Sequence, residues 1–374
     1  MSPRVVILGG YGHFGTRIAH ALAKHGRAEI WIAGRDPARA AALARELESG
    51  HAGAAVQGIA LDLGDAAGLA RALGRLEPGI VIHTAGPFQG RDYDVARACI
   101  EAGSHYVDLA DGRRFVADFA ELDDRARARD VLLVSGASTL PGLTSAIVDL
   151  LRNGMPEIRT IDISIVPAGQ TVRGRATIAA VLSYCGKPVR RLEDGVWRDF
   201  IGWQDARRVK YPCFSRRVAV CDVPDLELFP ARYKGVRTVS FRAGPELRFE
   251  QLALGGMAAM TRLGLVRNWA RYTGAFEQLS RLTRRLGSGT GCMQVNVSGI
   301  GRDGAAIERR WDLVAGSNHG HEIPAMPAIA LTKKLLRGEI SLRGAMPCLG
   351  LIGIEDFALE AQGFDIDWNL TRVR

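Results

Sequence analysis

Residues 10–15 have the types and spacing that bind the phosphates of a dinucleotide. They follow a short apolar run and fit the pattern Gly-x-Gly-x-x-Gly. The residues are Gly10, Tyr11, Gly12, His13, Phe14 and Gly15. In such a turn the first glycine permits a tight bend, the second lets a pyrophosphate approach the backbone, and the third lets helix and strand pack closely. The helix that follows directs its N–H groups and a partial positive charge at the phosphates. A glycine-rich turn without a ligand is the alternative interpretation.

The end of the second predicted strand distinguishes the two nicotinamide cofactors. A sheet specific for NADH usually carries Asp or Glu there, whereas this chain has Gly34 and Arg35. Gly34 leaves room for a 2′-phosphate, and a guanidinium can bind that phosphate, so the sequence predicts NADPH. Asp36 is the competing ribose ligand. Because Pro37 follows it and opens a helix, we expect Asp36 to cap that helix instead.

Two further segments follow predicted strands at the cofactor-binding edge of the sheet. Asp62 comes after the third strand, where an acid commonly meets the adenine amino group, and a plain turn residue is the alternative. The segment after the fourth strand lies beside the nicotinamide half in a doubly wound sheet. Its small residues allow the cofactor to approach closely. Its last two residues, Pro87 and Phe88, are predicted to pack against the nicotinamide ring. The segment is Thr84, Ala85, Gly86, Pro87 and Phe88.

Three polar residues near strand ends are candidates for acid–base chemistry or substrate binding. Asp108 and Asp111 flank the end of the fifth strand, where a carboxyl group can exchange a proton with a substrate. Capping of the loop explains both residues equally well. Thr139 follows the sixth strand and is a candidate to bond a substrate oxygen, with a turn role as the alternative. None of the seven tyrosines has Lys four residues later, which excludes the Tyr-x-x-x-Lys pair of short-chain dehydrogenases.

The elements that would position these residues alternate regularly in the first part of the chain. Short apolar runs predict strands, and the segments between them have helical periodicity. Alternation at this spacing implies βαβ units and a parallel, doubly wound sheet of the Rossmann kind. The predicted strands cover residues 5–8, 30–33, 56–61, 80–84, 106–109 and 131–135.

The second part of the chain is less regular and more basic. Residues 151–374 contain 33 Lys and Arg against 22 Asp and Glu, whereas residues 1–150 contain 16 against 18. Arg173 and Arg175 precede a predicted helix and predict an anion site for a substrate carboxylate or phosphate, with a solvated surface as the alternative. The helical segment 252–286 is apolar and basic, which is compatible with a membrane surface or an acyl-carrier protein.

Composition and motifs exclude several classes of protein. Hydrophobic residues make up 47% of the chain and charged residues 24%, values typical of folded globular proteins. No apolar run approaches the ~20 residues of a membrane helix. No nucleic-acid recognition motif is present. The six cysteines form no C-x-x-C pair, and His319 and His321 lack further metal-ligand spacing, so we predict a cytoplasmic protein without a metal.

Four segments together resemble a known family. They are residues 9–15 (GGYGHFG), 33–35 (AGR), 84–88 (TAGPF) and 99–111 (CIEAGSHYVDLAD). Their order and spacing are similar to the NADP-binding domain of the saccharopine dehydrogenase-like family over roughly residues 1–145. The resemblance implies an N-terminal Rossmann domain over residues 1–143, rejoined by a C-terminal segment of about 322–374. It also implies an α+β substrate and dimerisation domain over residues 144–321, and a homodimer.

The family includes saccharopine reductases, carboxyspermidine-type dehydrogenases and enoyl reductases of lipid or polyketide chains. We therefore predict an NADP(H)-dependent oxidoreductase that transfers hydride to a C=N or C=O carbon of a small, anionic substrate. The alternatives are an enoyl reductase acting on a lipid, isoprenoid or polyketide chain, and an NADPH-binding scaffold without turnover.

Overall fold

The structure is a computed structural model that describes residues 3–372. The chain divides into two units. The first comprises the chain up to Leu143 together with Glu322–Glu360, and the second comprises Thr144–His321 with the chain from Ala361 onward. We expected the whole segment 322–374 to rejoin the first domain. The segment that rejoins the first unit instead ends at Glu360, because the last strand of the chain pairs in the sheet of the second unit.

The first unit contains a seven-stranded sheet in which every pairing is parallel. Its strands are β1 (Arg4–Leu8), β2 (Glu29–Gly34), β3 (Ala55–Ala60), β4 (Ile80–His83), β5 (His105–Asp108), β6 (Leu132–Ser135) and β15 (Gly344–Pro347). They lie in the order β15-β6-β5-β4-β1-β2-β3. This is the 3-2-1-4-5-6 order of dinucleotide-binding sheets with one added edge strand, so the predicted doubly wound sheet is confirmed.

Helices cover both faces of this sheet, which explains why its central strands are apolar along their whole length. Val5, Ile7 and Ile82 are fully buried. The helices are α1 (His13–His25), α2 (Pro37–Gly50), α3 (Ala66–Leu76), α4 (Asp94–Glu101), α5 (Arg113–Ala117), α6 (Asp123–Ala128), α12 (Met326–Leu336) and α13 (Ile354–Glu360). The returning helix α12 packs against α1, and its Ile329 and Leu331 complete the core of the first unit.

The second unit is built on a mixed seven-stranded sheet, and the predicted α+β character is confirmed. Its strands are β7 (Glu157–Val166), β10 (Arg207–Lys210), β11 (Ser215–Val220), β12 (Thr238–Ala243), β13 (Gly291–Ile300), β14 (Ala306–Ala315) and β16 (Ile366–Arg372). Strands β12 and β7 are parallel, and the other neighbours are antiparallel. Strands β8 (Pro188–Glu193) and β9 (Val196–Ile201) form a separate hairpin.

Five helices accompany this sheet. They are α7 (Thr144–Leu151), α8 (Arg175–Ser183), α9 (Asp225–Arg232), α10 (Arg248–Arg262) and α11 (Thr273–Thr283). The predicted helical segment 252–286 is therefore two helices, and Gly264 lies in the turn after α10 with a φ of +76°. Short 3₁₀ segments at Trp269–Tyr272 and Arg284–Leu286 flank α11.

Candidate active site

The glycine-rich turn connects β1 to α1 and is held against the end of β2. Gly9 adopts a φ of +74°, a conformation that favours glycine. The backbone N–H groups of Gly9 and Gly10 both donate to the carbonyl oxygen of Ala33, at 2.9 and 3.1 Å. The turn is closed by the N–H of Gly12, which donates to the carbonyl oxygen of Gly9 at 2.8 Å.

None of the three glycines of the motif has room for a side chain. A Cβ atom on Gly10 would lie 2.8 Å from the carbonyl oxygen of Ile7. On Gly12 it would lie 2.9 Å from the carbonyl oxygen of Gly9, and on Gly15 only 2.4 Å from the same oxygen. Gly12 has no other crowding atom near that position, so its outer side is open to a ligand. The turn therefore has the shape that a pyrophosphate requires.

Helix α1 begins at this turn without a side-chain cap. Gly12 is its N-cap residue and makes no side-chain cap hydrogen bond. An uncapped helix N-terminus beside a glycine turn binds anions well. His13 and Phe14 form the first turn, where their rings pack edge to face with centroids 5.1 Å apart.

The end of β2 is occupied by an aromatic ring. A Cβ atom on Gly34 would lie 2.3 Å from the Tyr11 ring, so this glycine makes room for the tyrosine. Gly34 therefore has a packing role against Tyr11, and its place beside a 2′-phosphate stays a prediction. The hydroxyl of Tyr11 accepts a hydrogen bond from the N–H of Asp36 at 2.8 Å, which fixes the ring across the strand end.

One arginine lies over the Tyr11 ring, and another follows the end of β2. Arg35 is exposed, and the guanidinium of Arg39 lies over the ring, 4.6 Å from its centroid. Asp36 is the helix cap expected from the sequence, because its carboxylate accepts from the N–H groups of Ala38 and Arg39 at 3.0 and 3.1 Å. Arg39 was not predicted as a cofactor-binding residue. It lies four residues after Arg35, across the start of a helix, and this spacing could have indicated that both arginines lie at the end of β2.

Asp62 lies in the turn after β3. Its carboxylate accepts a hydrogen bond from the N–H of Gly64 at 3.0 Å, as a turn residue does. The side chain is exposed, so its second oxygen remains accessible to solvent.

The segment after β4 is tied to the glycine turn. The hydroxyl of Thr84 donates to the carbonyl oxygens of Leu8 and Gly9 at 2.9 and 3.1 Å. Ala85, Gly86 and Pro87 continue the segment along the sheet edge, and Phe88 is buried. The nicotinamide side of the predicted site is thereby linked by hydrogen bonds to its phosphate side.

Asp108 is a buried connection between two strand ends. Its Oδ1 atom accepts from the N–H of Ala110 at 2.9 Å, the hydroxyl of Ser135 at 3.0 Å and the N–H of Gly136 at 2.8 Å. The side chain is fully buried, and burial raises the pKa of its carboxyl to about 6. These contacts join the end of β5 to the end of β6.

A histidine and a tyrosine that the sequence analysis missed lie beside Asp108. The Nδ1 atom of His83 is 3.0 Å from the hydroxyl oxygen of Tyr106, and both side chains are buried. Burial lowers the pKa of His83 to about 4, so its imidazole is neutral at pH 7. Burial and the nearby Asp108 raise the pKa of Tyr106. A polar residue at the end of the apolar strand IVIH was the available signal for His83.

Asp111 and Thr139 are more accessible than Asp108. Asp111 is exposed, and its carboxylate accepts from the side-chain amide of Gln89 at 2.9 Å. Thr139 is half-buried at the start of the tight turn Thr139–Leu143. Gln89 was also missed, although it directly follows the segment 84–88.

The two predicted anion-binding arginines belong to the second unit. Arg175 is exposed as the first residue of α8, whose N-cap is Gly174. Arg173 lies 4.0 Å from the carboxylate of Glu250, which partly neutralises it. The pair therefore retains about one uncompensated positive charge.

Metal-ligand clusters and membrane spans are absent from the described part of the chain. Between residues 3 and 372, no group of three His, Cys, Asp or Glu side chains is arranged to hold a metal ion. His319 accepts from the N–H of Asp365 at 2.8 Å and packs against Phe364. No helix of the same range combines the length and apolar character needed to cross a membrane.

Comparison with known proteins identifies relatives of both the domain and the fold. Residues 5–134 match the family model of the saccharopine dehydrogenase NADP binding domain. The structure is similar to apo saccharopine dehydrogenase (L-Glu forming) from Saccharomyces cerevisiae, with 15% identity over 100% of both chains and a TM-score of 0.70. An amine dehydrogenase from Mycobacterium smegmatis shares 12% identity over 93% of this chain and 95% of its own, with a TM-score of 0.45. No curated protein matches the chain.

The family model covers the glycine turn and the ends of β1 to β5, and it stops one residue before the end of β6. The structural match extends the likeness in fold to the full chain. Residues 5–134 are thus similar to the NADP-binding domain of saccharopine dehydrogenases, and the whole chain shares the fold of the yeast enzyme.

Proposed function

We propose that the protein transfers hydride between NADP(H) and an electrophilic C=N or C=O carbon of a small, anionic substrate. The observation that carries this proposal is the carboxyl edge of the first sheet. There the segment 84–88 is bonded to the glycine turn, and an accessible acid, Asp111, is held by Gln89. Phosphate binding and proton transfer are thereby supported within one compact unit.

The residues of the first unit fit the cofactor. Gly10, Gly12 and Gly15 would hold the pyrophosphate at the start of α1, since none of them leaves room for a side chain. Arg35 and Arg39 would hold the 2′-phosphate beside Tyr11. When bound, NADPH supplies the hydride, and the protein orients the reactants, excludes water and provides a proton.

Asp111 is the proton donor of this proposal. Its side chain is exposed at the carboxyl edge of the sheet, where a carboxyl group can exchange a proton with a substrate. Gln89 donates to one carboxylate oxygen and so orients the group. Asp108 is fully buried, and one of its oxygens already accepts three hydrogen bonds, so we assign it a positioning role at the strand ends.

The anionic substrate is supported by the basic second unit. Arg173 and Arg175 flank the start of α8, and Glu250 compensates only one of the two charges. A guanidinium binds a carboxylate through charge-assisted hydrogen bonds. Replacement of Arg175 by Gln is therefore expected to raise the substrate KM and to weaken its dependence on salt.

The test is a comparison of substrate classes with variants of the acid. NADPH oxidation is measured with 2-oxo acids, with mixtures of 2-oxo acids and amino acids that form imines, and with enoyl thioesters. Asp111→Asn should lower turnover about 10²–10⁴-fold while the NADPH dissociation constant stays unchanged. The matched control is Asp118→Asn, an exposed carboxylate of the same unit that lies 3.5 Å from Arg114. Parent-like turnover of Asp111→Asn would show that Asp111 is not the donor.

A second candidate is reduction of a C=C bond in a lipid, isoprenoid or polyketide chain. It is favoured by the exposed apolar side chains of α10 and α11. The same assay separates the two functions, because turnover confined to enoyl thioesters excludes the first. NADPH binding without turnover on any of the three classes would instead support the scaffold interpretation.

A further inference from the structure

Helices α10 and α11, with their connection, are linked by hydrogen bonds near both ends of α10. Near one end the hydroxyl of Thr283 donates to the Glu250 carboxylate at 2.8 Å. Near the other end the indole N–H of Trp269 contacts the carbonyl oxygen of Met257 and the hydroxyl of Thr261, each at 3.0 Å. The two helices and their connection therefore form one helical pair, residues 248–286.

Helix α10 is apolar on two opposite sides. Met257 and Ala258 are buried, as the inner side of a surface helix should be. Large apolar side chains also follow each other along the outer side at intervals of three, eight and three residues, which is one stripe on a helix. This outer stripe consists of Phe249, Leu252, Met260 and Leu263. Leu252 is 76% exposed and Leu263 is 75% exposed.

Helix α11 repeats the pattern with its flanking 3₁₀ turns. Its exposed apolar residues follow at intervals of seven, three and four, again a single stripe. They are Tyr272, Leu279, Leu282 and Leu286, and Leu282 is 75% exposed. Leu265, in the connection, is exposed as well. Nine of the sixteen exposed large apolar residues of the described chain lie in this helical pair, so the exposure is concentrated rather than scattered.

The helical pair is also strongly basic. Residues 248–286 contain seven arginines and two glutamates. The glutamates are engaged within the unit, Glu250 with Thr283 and Glu277 with Arg281. Five exposed arginines have no ion-pair partner among residues 3–372, and they are Arg248, Arg262, Arg267, Arg271 and Arg285. A second copy placed on this surface would bring like charges together, whereas an anionic surface would neutralise them.

We propose that the helical pair is a peripheral docking surface for an anionic phospholipid bilayer. The leucines would enter the boundary between headgroups and acyl chains, and the arginines would contact lipid phosphates. An exposed apolar stripe flanked by arginines is the pattern of helices that lie in the plane of a membrane interface. This inference does not depend on the substrate proposed above, because it concerns only the surface of the second unit.

Flotation of the full chain with vesicles tests the proposal. One set of vesicles contains phosphatidylcholine alone, and the other an equal mixture of phosphatidylcholine and phosphatidylglycerol. The parent should float with the anionic vesicles and much less with the neutral ones, and high salt should weaken its binding. Leu252→Glu should weaken binding by about tenfold or more, and each of Arg267→Gln and Arg271→Gln by about fivefold.

Leu359→Glu is the matched control. Leu359 is 61% exposed but lies in the first unit, so this variant should bind vesicles like the parent. Far-UV circular dichroism and the urea-unfolding transition of every variant report that the chain is folded. Failure of the parent to float, or parent-like flotation of Leu252→Glu together with Leu282→Glu, would overturn the proposal. A different partner would also overturn it. In that case the parent would not bind vesicles, and replacement of these leucines would abolish either its self-association or its binding to an acidic acyl-carrier protein.

Discussion

At the scale of single residues, two neighbouring aspartates have opposite environments. Asp108 is fully buried with three donors on one oxygen, while Asp111 is exposed with one donor from Gln89. The sequence identified both residues but could not distinguish them, since both lie within two positions of the predicted end of the fifth strand at residue 109. The distinction depends on Ser135 and Gly136, which the fold brings from a different strand end.

The pH dependence of stability should report the burial of Asp108. Its pKa of about 6 in the folded state lies above the ordinary value of 3.8, so the folded protein binds more protons between about pH 4 and pH 6. Stability contributed by the protonated carboxyl is therefore lost as pH rises through this window. His83, with a pKa of about 4, has the opposite effect, because its neutral form stabilises the folded state increasingly toward pH 6.5.

Comparison of two variants isolates the effect of Asp108. Asp108→Asn keeps an oxygen acceptor and cannot ionise, so its free energy of unfolding relative to the parent should rise between pH 4 and pH 6, by roughly 2–3 kcal/mol. Asp108→Ala leaves two backbone N–H groups and a hydroxyl without their acceptor, at about 1–3 kcal/mol for each. Urea unfolding at several pH values measures both. Equal stability of the Ala variant and the parent would contradict the connecting role.

Cofactor preference is also decided by single residues. We expect the parent to bind NADPH about ten- to a hundredfold more tightly than NADH, because charge-assisted hydrogen bonds contribute about 1.5–3 kcal/mol. Arg35→Ala should remove most of this preference while NADH binding stays nearly unchanged. Arg39→Ala should reduce the preference less, since the Tyr11 ring already holds that guanidinium. Calorimetric titration of both cofactors measures the ratio, and equal affinities in the parent would make Asp36 a ribose ligand instead.

At the scale of elements, the sequence predicted the first sheet well because its strands are apolar and end in glycines or polar turns. Strand β4 was expected at 80–84 and spans Ile80–His83, and β2 was expected at 30–33 and spans Glu29–Gly34. The strands that were missed lack this pattern. Strand β16 buries only its first residue, Ile366, and β15 is the short run Gly344–Pro347 with glycine and proline at its ends. Their positions depend on pairing with distant strands, which local periodicity does not reveal.

The glycine turn provides a test at this scale. Gly15→Ala places a Cβ atom 2.4 Å from the Gly9 carbonyl oxygen and 2.7 Å from the Gly10 Cα, and both are backbone atoms that cannot rotate away. The turn must move, so this variant should lose stability and bind NADPH at least tenfold more weakly.

The matched control is another helical glycine of the same unit. Gly74 lies in α3, and a Cβ atom there has open space within 4 Å. Gly74→Ala should therefore increase stability by about 0.5–1 kcal/mol and leave NADPH affinity unchanged. Thermal unfolding and calorimetry measure both variants. Parent-like NADPH affinity of Gly15→Ala would show that close packing at this glycine is not required.

At the scale of the whole molecule, the order of the chain differs from the order of its units. The first unit is completed by Glu322–Glu360, and the second by the last strand. Strand β16 pairs with β14 over seven residue pairs. Asp365, just before it, accepts from Gly316 N–H at 2.9 Å and from the Ser317 hydroxyl at 2.6 Å. The C-terminal segment therefore stabilises the second unit, although in the chain it follows α12 and α13 of the first unit.

Truncation after Ala361 should consequently affect the two units differently. Removal of β16 eliminates its ladder hydrogen bonds with β14, each worth about 0.5–1.5 kcal/mol net, and leaves the ten-residue strand β14 as an open edge that favours aggregation. NADPH affinity should stay close to that of the parent, because the glycine turn and both arginines at β2 lie in the first unit. Asn369→Ala is the control, since it removes an exposed side chain but keeps the strand. Calorimetric titration and urea unfolding of the truncated chain measure the two effects separately. An unchanged unfolding transition would mean that β16 contributes little to the second sheet, and a loss of NADPH binding would mean that the first unit depends on the C-terminal strand.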